Sequence, residues 1–140
     1  DWSSDVCSSD RSLVDLWGDQ ASADRFRSET VEELQHAERI VQRMLSLGVA
    51  PAASQLQPST HAADLVGLLE QNAELEQQLV DHYSEASRFC TLINDRDNGA
   101  FFSALLEDEQ HHSRDLEAWL TELGGRRNPG YRRYGGRASF

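Results

Sequence analysis

Apolar residues recur along this 140-residue chain at intervals of three and four positions, the spacing that places side chains on one face of an α-helix. The pattern predicts helices over residues 22–47, 63–92 and 100–123, and a shorter helical segment over 11–17. Gly18, Gly48 and Gly124 each follow the last periodic residue, as glycine commonly does at helix ends. No segment shows the alternation of apolar and polar residues that is typical of a β-strand. The chain is therefore predicted to be all-α.

The connections between these helices divide the chain. Residues 49–62 are rich in Pro, Ser, Ala and Gln, and their length suits a crossover between two parallel helices better than a tight antiparallel turn. Residues 94–99 are predicted to be a polar break. Residues 125–140 contain Arg, Tyr and Gly but no apolar period, which predicts a disordered tail. Residues 11–124 are thus expected to form one helical bundle.

The first ten residues have no helical apolar period and contain four serines. They resemble translated sequencing-adapter read-through, and such segments are excluded from fold reasoning. We interpret residues 1–10 as a non-native segment that belongs to no element of secondary structure. The native chain then begins near Arg11, and its first helix is largely missing.

Two copies of one pattern, Glu33-x-x-His36 and Glu109-x-x-His112, interrupt these apolar stripes, and Glu76 interrupts the stripe between them. A spacing of three places each Glu and His on the same helix face, one turn apart. Buried carboxylates are costly unless a cation keeps them ionised. Carboxylates combined with imidazoles are ligands suited to iron. The stripes therefore predict a metal site, with these five residues as its ligands.

The other three histidines are not expected to act as ligands. His61 lies in the crossover, His82 lies beside Tyr83, and His111 points about 100° away from His112 on the same helix. Asn72 lies one turn before Glu76, where it could hold a ligating imidazole through its second nitrogen. The alternative is a helical bundle with no catalytic or metal-binding site, in which the histidines are hydrogen-bonded core residues and the acids face solvent.

The charge of the chain limits its partners. The net charge is −11, and all 24 acidic residues precede residue 125, whereas five of the 13 arginines follow residue 124. An acidic body favours cations and disfavours nucleic acid, although excess carboxylate is also a common soluble surface. Two cysteines without a repeating spacing predict neither a disulfide framework nor a zinc site. No apolar run is long enough for a membrane span and no secretory signal is recognisable, so a cytoplasmic location is expected.

The metal-ligand motifs and their spacing resemble those of the ferritin superfamily, and within it those of the bacterioferritins. The resemblance rests on the pair Trp17-Gly18, on Glu33-x-x-His36 followed by Ala37, on the long crossover, on Glu76 and on Asp108-Glu109-x-x-His112. It covers the chain from about Trp17 to Leu123. It implies a ferritin-like four-helix bundle with its crossover between helices 2 and 3.

The resemblance also implies a di-iron ferroxidase centre. In that centre Glu33 and Glu109 would bridge two irons, His36 and His112 would each bind one of them, and Glu76 would be a terminal ligand. The reaction implied is oxidation of Fe(II) to Fe(III) by oxygen or hydrogen peroxide. The product would pass to a mineral inside a homo-oligomeric shell.

The chain departs from the family pattern at three places. The glutamate of the family's first helix would fall immediately before Asp1. Leu34 stands where bacterioferritins place the methionine that binds haem, and it has no lone pair for iron, so no haem is expected. The family's short fifth helix is not recognisable after Gly124.

Other functions remain open at this point. A tail of Arg interleaved with Tyr could bind nucleic acid, as in the DNA-protecting relatives of ferritin. Those relatives build their iron site between subunits and lack the two-motif pattern, so nucleic acid is not an expected partner. Rubrerythrins carry Cys-x-x-Cys pairs that are absent here. Other di-iron oxidation chemistry and a non-catalytic helical fragment stay as alternatives.

Overall fold

The computed structural model describes residues 2–51 and 62–124, with side chains from residue 9 onwards. This part of the chain forms four helices and no strand: α1 (Trp2–Leu16), α2 (Gln20–Ser46), α3 (Leu65–Leu92) and α4 (Arg96–Glu122). Among them, no helix is both long and apolar enough to cross a membrane. The predicted all-α architecture is confirmed.

Side-chain contacts define the directions of the helices. Arg25 pairs with Glu122 and Arg43 with Asn98, so α2 and α4 are antiparallel. The hydroxyls of Ser87 and Ser103 lie 2.9 Å apart across the antiparallel pair α3 and α4. Because both α2 and α3 oppose α4, they are parallel to each other, and the connection between them is the predicted crossover. Residues 52–61 of that crossover and the tail beyond residue 124 lie outside the described residues.

Aspartates cap three of the helices. The side chains of Asp19, Asp64 and Asp95 accept hydrogen bonds from backbone N–H groups three residues later, at 3.0, 2.8 and 3.1 Å. Such caps satisfy donors that the first turn leaves without an intrahelical partner. The Asp95 cap explains why the predicted polar break over 94–99 was wrong. Helix α4 already begins at Arg96, and only residues 93–95 interrupt the helices.

The expectation that residues 1–10 belong to no secondary-structure element was also wrong, because α1 begins at Trp2. No proline or glycine interrupts this segment before Gly18, so the helix can continue from the apolar residues that follow. Asp10 is buried and accepts a 2.7 Å hydrogen bond from Asn72 of α3, a polar contact that an apolar pattern does not reveal. Whether the segment is foreign in origin stays a prediction.

The apolar core lies toward the end of the bundle where α1 meets α2. Phe26 of α2 and Trp119 of α4 pack with ring centroids 5.4 Å apart. Other buried residues come from all four helices: Val14, Ala23, Leu68, Leu69, Leu116 and Leu120. Glu33 follows Phe26 by two helical turns, about 10 Å along α2. The core therefore holds α2 and α4 in register next to the predicted ligands.

A pair of substitutions in α1 tests whether this helix is part of the core. Val14 is 0% exposed, whereas Leu16, two residues later, is 84% exposed. We expect Val14→Ala to lower the free energy of unfolding by about 2 kcal/mol, from two lost methyl groups and the resulting cavity. Leu16→Ala should change it by less than about 0.5 kcal/mol. Urea denaturation of both variants measures the difference, and equal effects would contradict the packing of α1.

Candidate metal centre

Four of the five predicted ligands converge between α2 and α4. Glu33, His36, Glu109 and His112 each offer a ligand atom, and these atoms all lie within 4.8 Å of one another. Glu109 is 0% exposed, Glu33 and His36 are buried, and His112 is mostly buried. They meet because the two Glu-x-x-His pairs face the interior at the same level of an antiparallel helix pair.

Each glutamate lies between the two imidazoles. Glu109 places Oε1 3.1 Å from His36 Nδ1 and Oε2 3.7 Å from His112 Nδ1. Glu33 Oε1 lies 3.8 Å from His36 Nδ1 and 3.5 Å from His112 Nδ1. The two rings are stacked, with centroids 5.5 Å apart. Both imidazoles therefore direct the same nitrogen, Nδ1, at the same pair of carboxylates.

Glu76 of α3, the fifth predicted ligand, is outside the group of four but next to it, since its carboxyl interacts directly with Glu109. Several buried atoms make no hydrogen bond within the described part of the chain: His36 Nδ1, Glu76 Oε2 and both Glu109 carboxylate oxygens. Buried polar atoms that make no hydrogen bond are rare and costly in folded proteins. A set of inward-facing oxygen and nitrogen donors of this kind fits one or two cations, and the residues present are suitable ligands for iron.

The carboxyls and imidazoles strongly affect one another's protonation. Burial, together with the neighbouring Glu109 and Glu33 carboxylates, raises the pKa of Glu76 to about 9. Burial alone would also raise the pKa of Glu109, but contacts with His112, His36 and Glu76 outweigh it and lower that pKa. Contact with Glu109, and then with Glu33, raises the pKa of His112 to about 11. Without a metal, the centre therefore holds protons at neutral pH that cations would displace.

These shifts predict that the metal-free protein loses stability as the pH rises from 6.5 to 9. The folded chain keeps protons on Glu76 and His112 in this range, whereas the unfolded chain has released them. We expect a loss of at least about 1 kcal/mol, the equivalent of one pKa unit. Glu76→Gln should reduce the loss, since glutamine does not titrate. Urea denaturation in a chelator at both pH values measures it, and an unchanged slope in the variant would contradict this assignment.

Two acids outside the predicted set contact the outer nitrogens of the imidazoles. Asp108 Oδ2 lies 3.5 Å from His36 Nε2, and Glu32 Oε2 lies 2.7 Å from His112 Nε2. Sequence reasoning missed both roles because neither acid lies on an apolar stripe. A signal was present nonetheless, since each acid immediately precedes the glutamate of a Glu-x-x-His pair.

Other expectations about polar residues can now be compared with the structure. Asn72 donates hydrogen bonds to Asp10 and to the Leu68 carbonyl, so its predicted contact with a ligating imidazole was wrong. His111 is exposed and lies 3.6 Å from Asp115, away from the cluster as expected. His82 is exposed on α3 and contacts the Gln78 carbonyl. His61 lies outside the described residues.

Comparison with known proteins gives a consistent result. The family model of the ferritin-like domain matches residues 5–125. The bacterioferritin of Brucella melitensis is 28% identical over 123 residues, which cover 88% of this chain and 74% of that protein. The bacterioferritin of Rhodobacter capsulatus is 30% identical over 109 residues, which cover 78% of this chain and 68% of that protein.

Solved structures show the same similarity in three dimensions. The structure of Rhodobacter capsulatus bacterioferritin matches with a TM-score of 0.83 and 26% identity, over 88% of this chain and 77% of that one. That protein is described with a metal-free dinuclear site and a haem iron in a crystallographic special position. A Mycobacterium tuberculosis bacterioferritin matches with a TM-score of 0.82, and at 21% identity it supports the fold alone.

Proposed function

This chain belongs to the ferritin superfamily, where its relatives are bacterioferritins, and from that premise we propose that it binds two iron ions in its bundle and oxidises Fe(II) to Fe(III) for storage. The observation that carries the proposal is the buried cluster of Glu33, His36, Glu109 and His112. Iron, when bound, supplies the redox chemistry, and oxygen or hydrogen peroxide accepts one electron from each of two ferrous ions.

The geometry supports a distinct role for each ligand. Glu33 and Glu109 each lie between the two imidazoles, as carboxylates that bridge two metal ions would. His36 and His112 would bind one ion each through Nδ1. Glu76 would be a terminal ligand, because its buried Oε2 makes no hydrogen bond within the described residues. Two carboxylates in these positions would hold two bound ions close together, and bound iron would supply two electrons for one oxidant.

We infer that the position after Glu33 does not bind haem. Leu34 follows Glu33 on α2 but is 53% exposed on the outer face of the helix, where it offers only carbon atoms. Without a sulfur or nitrogen donor here, haem iron has no ligand from this position. The protein purified from cells supplied with a haem precursor should therefore show no Soret absorbance, whereas Leu34→Met should gain it. A Soret band in the unmodified protein would contradict this assignment.

An apolar row on the outside of α2 supports assembly into a homo-oligomer. Val31, Leu34, Val41 and Leu45 are all substantially exposed and recur at the spacing of one helix face. Exposed apolar patches of this kind commonly mark protein–protein interfaces. Light scattering should show an oligomer that dissociates when Leu34 and Val41 are replaced by aspartate. A monomeric unmodified protein would contradict assembly.

An anaerobic titration tests the proposed reaction. Fe(II) is added to the chain without oxygen, bound iron is counted, and ferric absorbance is followed after air is admitted. We expect two irons per chain and fast oxidation, both lost in Glu33→Ala, while Asp24→Ala serves as a control, because Asp24 is exposed on the same helix. A folded chain that binds no iron would overturn the proposed function.

A further inference from the structure

A buried polar contact joins α1 to α3 between the apolar core and the proposed metal centre. Asn72 of α3 donates one amide N–H to Asp10 Oδ2 at 2.7 Å and the other to the Leu68 carbonyl at 2.9 Å. Asp10 is 6% exposed and Asn72 is 5% exposed, so solvent has little access to the bond. The contact therefore links α1 to the turn of α3 that precedes the proposed ligand Glu76.

This contact restricts how α3 can rotate and slide against α1. The neighbouring contact of the same two helices is apolar, since Val14 of α1 and Leu69 of α3 belong to one packed cluster. Apolar packing has no preferred direction, whereas a hydrogen bond requires a short distance and a suitable angle. A rotation that separates Asn72 from Asp10 would leave two buried polar groups unsatisfied, which is costly. The pair therefore selects one orientation of α3.

The position of Glu76 depends on that orientation. Asn72 and Glu76 are four residues apart, which places them on the same side of α3, one turn from each other. Glu76 is the only one of the five proposed ligands on α3, and its buried Oε2 makes no hydrogen bond within the described residues. A rotation of α3 by about 20° would move this carboxyl by about 2 Å, given the radius of a helix with its side chains. Metal-binding groups must be held to within about 0.5 Å, so a rotation of this size would displace Glu76 from the centre.

We propose that Asp10 and Asn72 are positioning residues, which fix the orientation of α3 and thereby hold Glu76 against the other four ligands. This inference rests on the proposed metal centre. It gives α1 a role in the centre, although none of the five proposed ligands belongs to that helix. Neither Asp10 nor Asn72 is proposed to bind iron itself.

The test measures Co(II) binding by the full chain, with visible absorbance as a report on the ligands of the ion. Asp10→Ala should lower Co(II) affinity by about 10-fold and change the absorbance spectrum, because Glu76 is then misplaced. Asn72→Asp places two carboxyls against each other and should also lower the affinity. The exchange of both residues, Asp10→Asn with Asn72→Asp, restores an amide–carboxylate hydrogen bond in the opposite direction. This exchanged pair should recover most of the affinity and the original spectrum.

Two comparisons separate positioning from a loss of stability. Val14→Ala removes core packing from the same helix, so it should lower the free energy of unfolding but leave Co(II) affinity within about twofold. In a Glu76→Gln background, Asp10→Ala should still destabilise the chain but should lower the affinity no further, since its effect on the metal passes through Glu76.

The outcomes distinguish the positioning role from the centre itself. Circular dichroism confirms that each variant is folded, and if Asp10→Ala is not, the exchanged pair is compared with Asn72→Asp alone. Unchanged affinity in Asp10→Ala, an equal loss in Val14→Ala, or no recovery in the exchanged pair would overturn the positioning role alone. A folded unmodified chain that binds neither Co(II) nor Fe(II) would overturn the proposed centre as well.

Discussion

Glu109→Ala will lower the affinity of the centre for Co(II) or Fe(II) by more than about 100-fold, since loss of residues that merely orient ligands already costs 10- to 100-fold. Both oxygens of Glu109 are buried, make no hydrogen bond within the described residues and face an imidazole Nδ1. Removal of Glu109 therefore removes a donor from both proposed metal positions at once.

The same variant has a second consequence that does not depend on metal. Contact with Glu109 is the largest cause of the raised pKa of both His36 and His112. In metal-free Glu109→Ala, both imidazole pKa values should therefore fall, as NMR titration of the histidines would measure. Glu107→Ala is the matched control, because Glu107 is exposed on the same helix. Metal affinity within about threefold of the unmodified protein in Glu109→Ala would contradict the assigned ligand set.

Saturation with Zn(II) or Co(II) should raise the Tm of the protein by about 10 °C or more. A ligand that binds only the folded state stabilises it by about 4 kcal/mol at a thousandfold excess over Kd. For a domain of this size, each kcal/mol corresponds to about 3 °C. The metal also relieves the mutual repulsion of Glu33, Glu76 and Glu109 and gives partners to buried atoms that lack hydrogen bonds.

The gain should be specific to the centre. Replacement of His36 and His112 by alanine together should abolish the Tm shift, because both proposed imidazole ligands are then absent. Replacement of His82 and His111, which are exposed and do not belong to the cluster, should leave it intact. Calorimetry with metal and with a chelator measures the effect. An equal shift in both double variants would mean that the ions bind elsewhere on the acidic surface.

The parts of the molecule that sequence could predict are those that depend on one helix at a time. Glu33, His36 and Glu109 interrupt apolar stripes, and the helical period alone determines that they face the interior. The buried pair Asp10 and Asn72, by contrast, joins side chains 62 positions apart. A periodic pattern shows which face of a helix is inward but not which residue lies opposite.

The same reasoning explains why the contacts of Glu32 and Asp108 with the imidazoles, and the start of α4, were not predicted. Contact of Glu32 with His112 depends on how two antiparallel helices are rotated and shifted against each other, which no single stripe contains. The start of α4 depended instead on local chemistry. Asp95 is a common N-cap residue, yet the surrounding Asn, Asp and Gly residues suggested a longer break.

The reciprocal contacts across the centre also indicate that the bundle contains an internal repeat. An offset of 76 residues maps α2 onto α4 over their whole length of 27 residues, and it maps the end of α1 at Leu16 onto the end of α3 at Leu92. It also relates the capping residues Asp19 and Asp95, and Gly18 and Asn94, which both have positive φ.

The centre therefore lies between two copies of one helical hairpin, near an approximate two-fold axis. Each hairpin contributes one Glu-x-x-His pair and the acid before it. The two proposed metal positions are similar with respect to α2 and α4, although the acid before the motif is Glu32 on α2 and Asp108 on α4. Glu76 of α3 adds a further difference between them, so Glu76→Gln should make the two positions more alike.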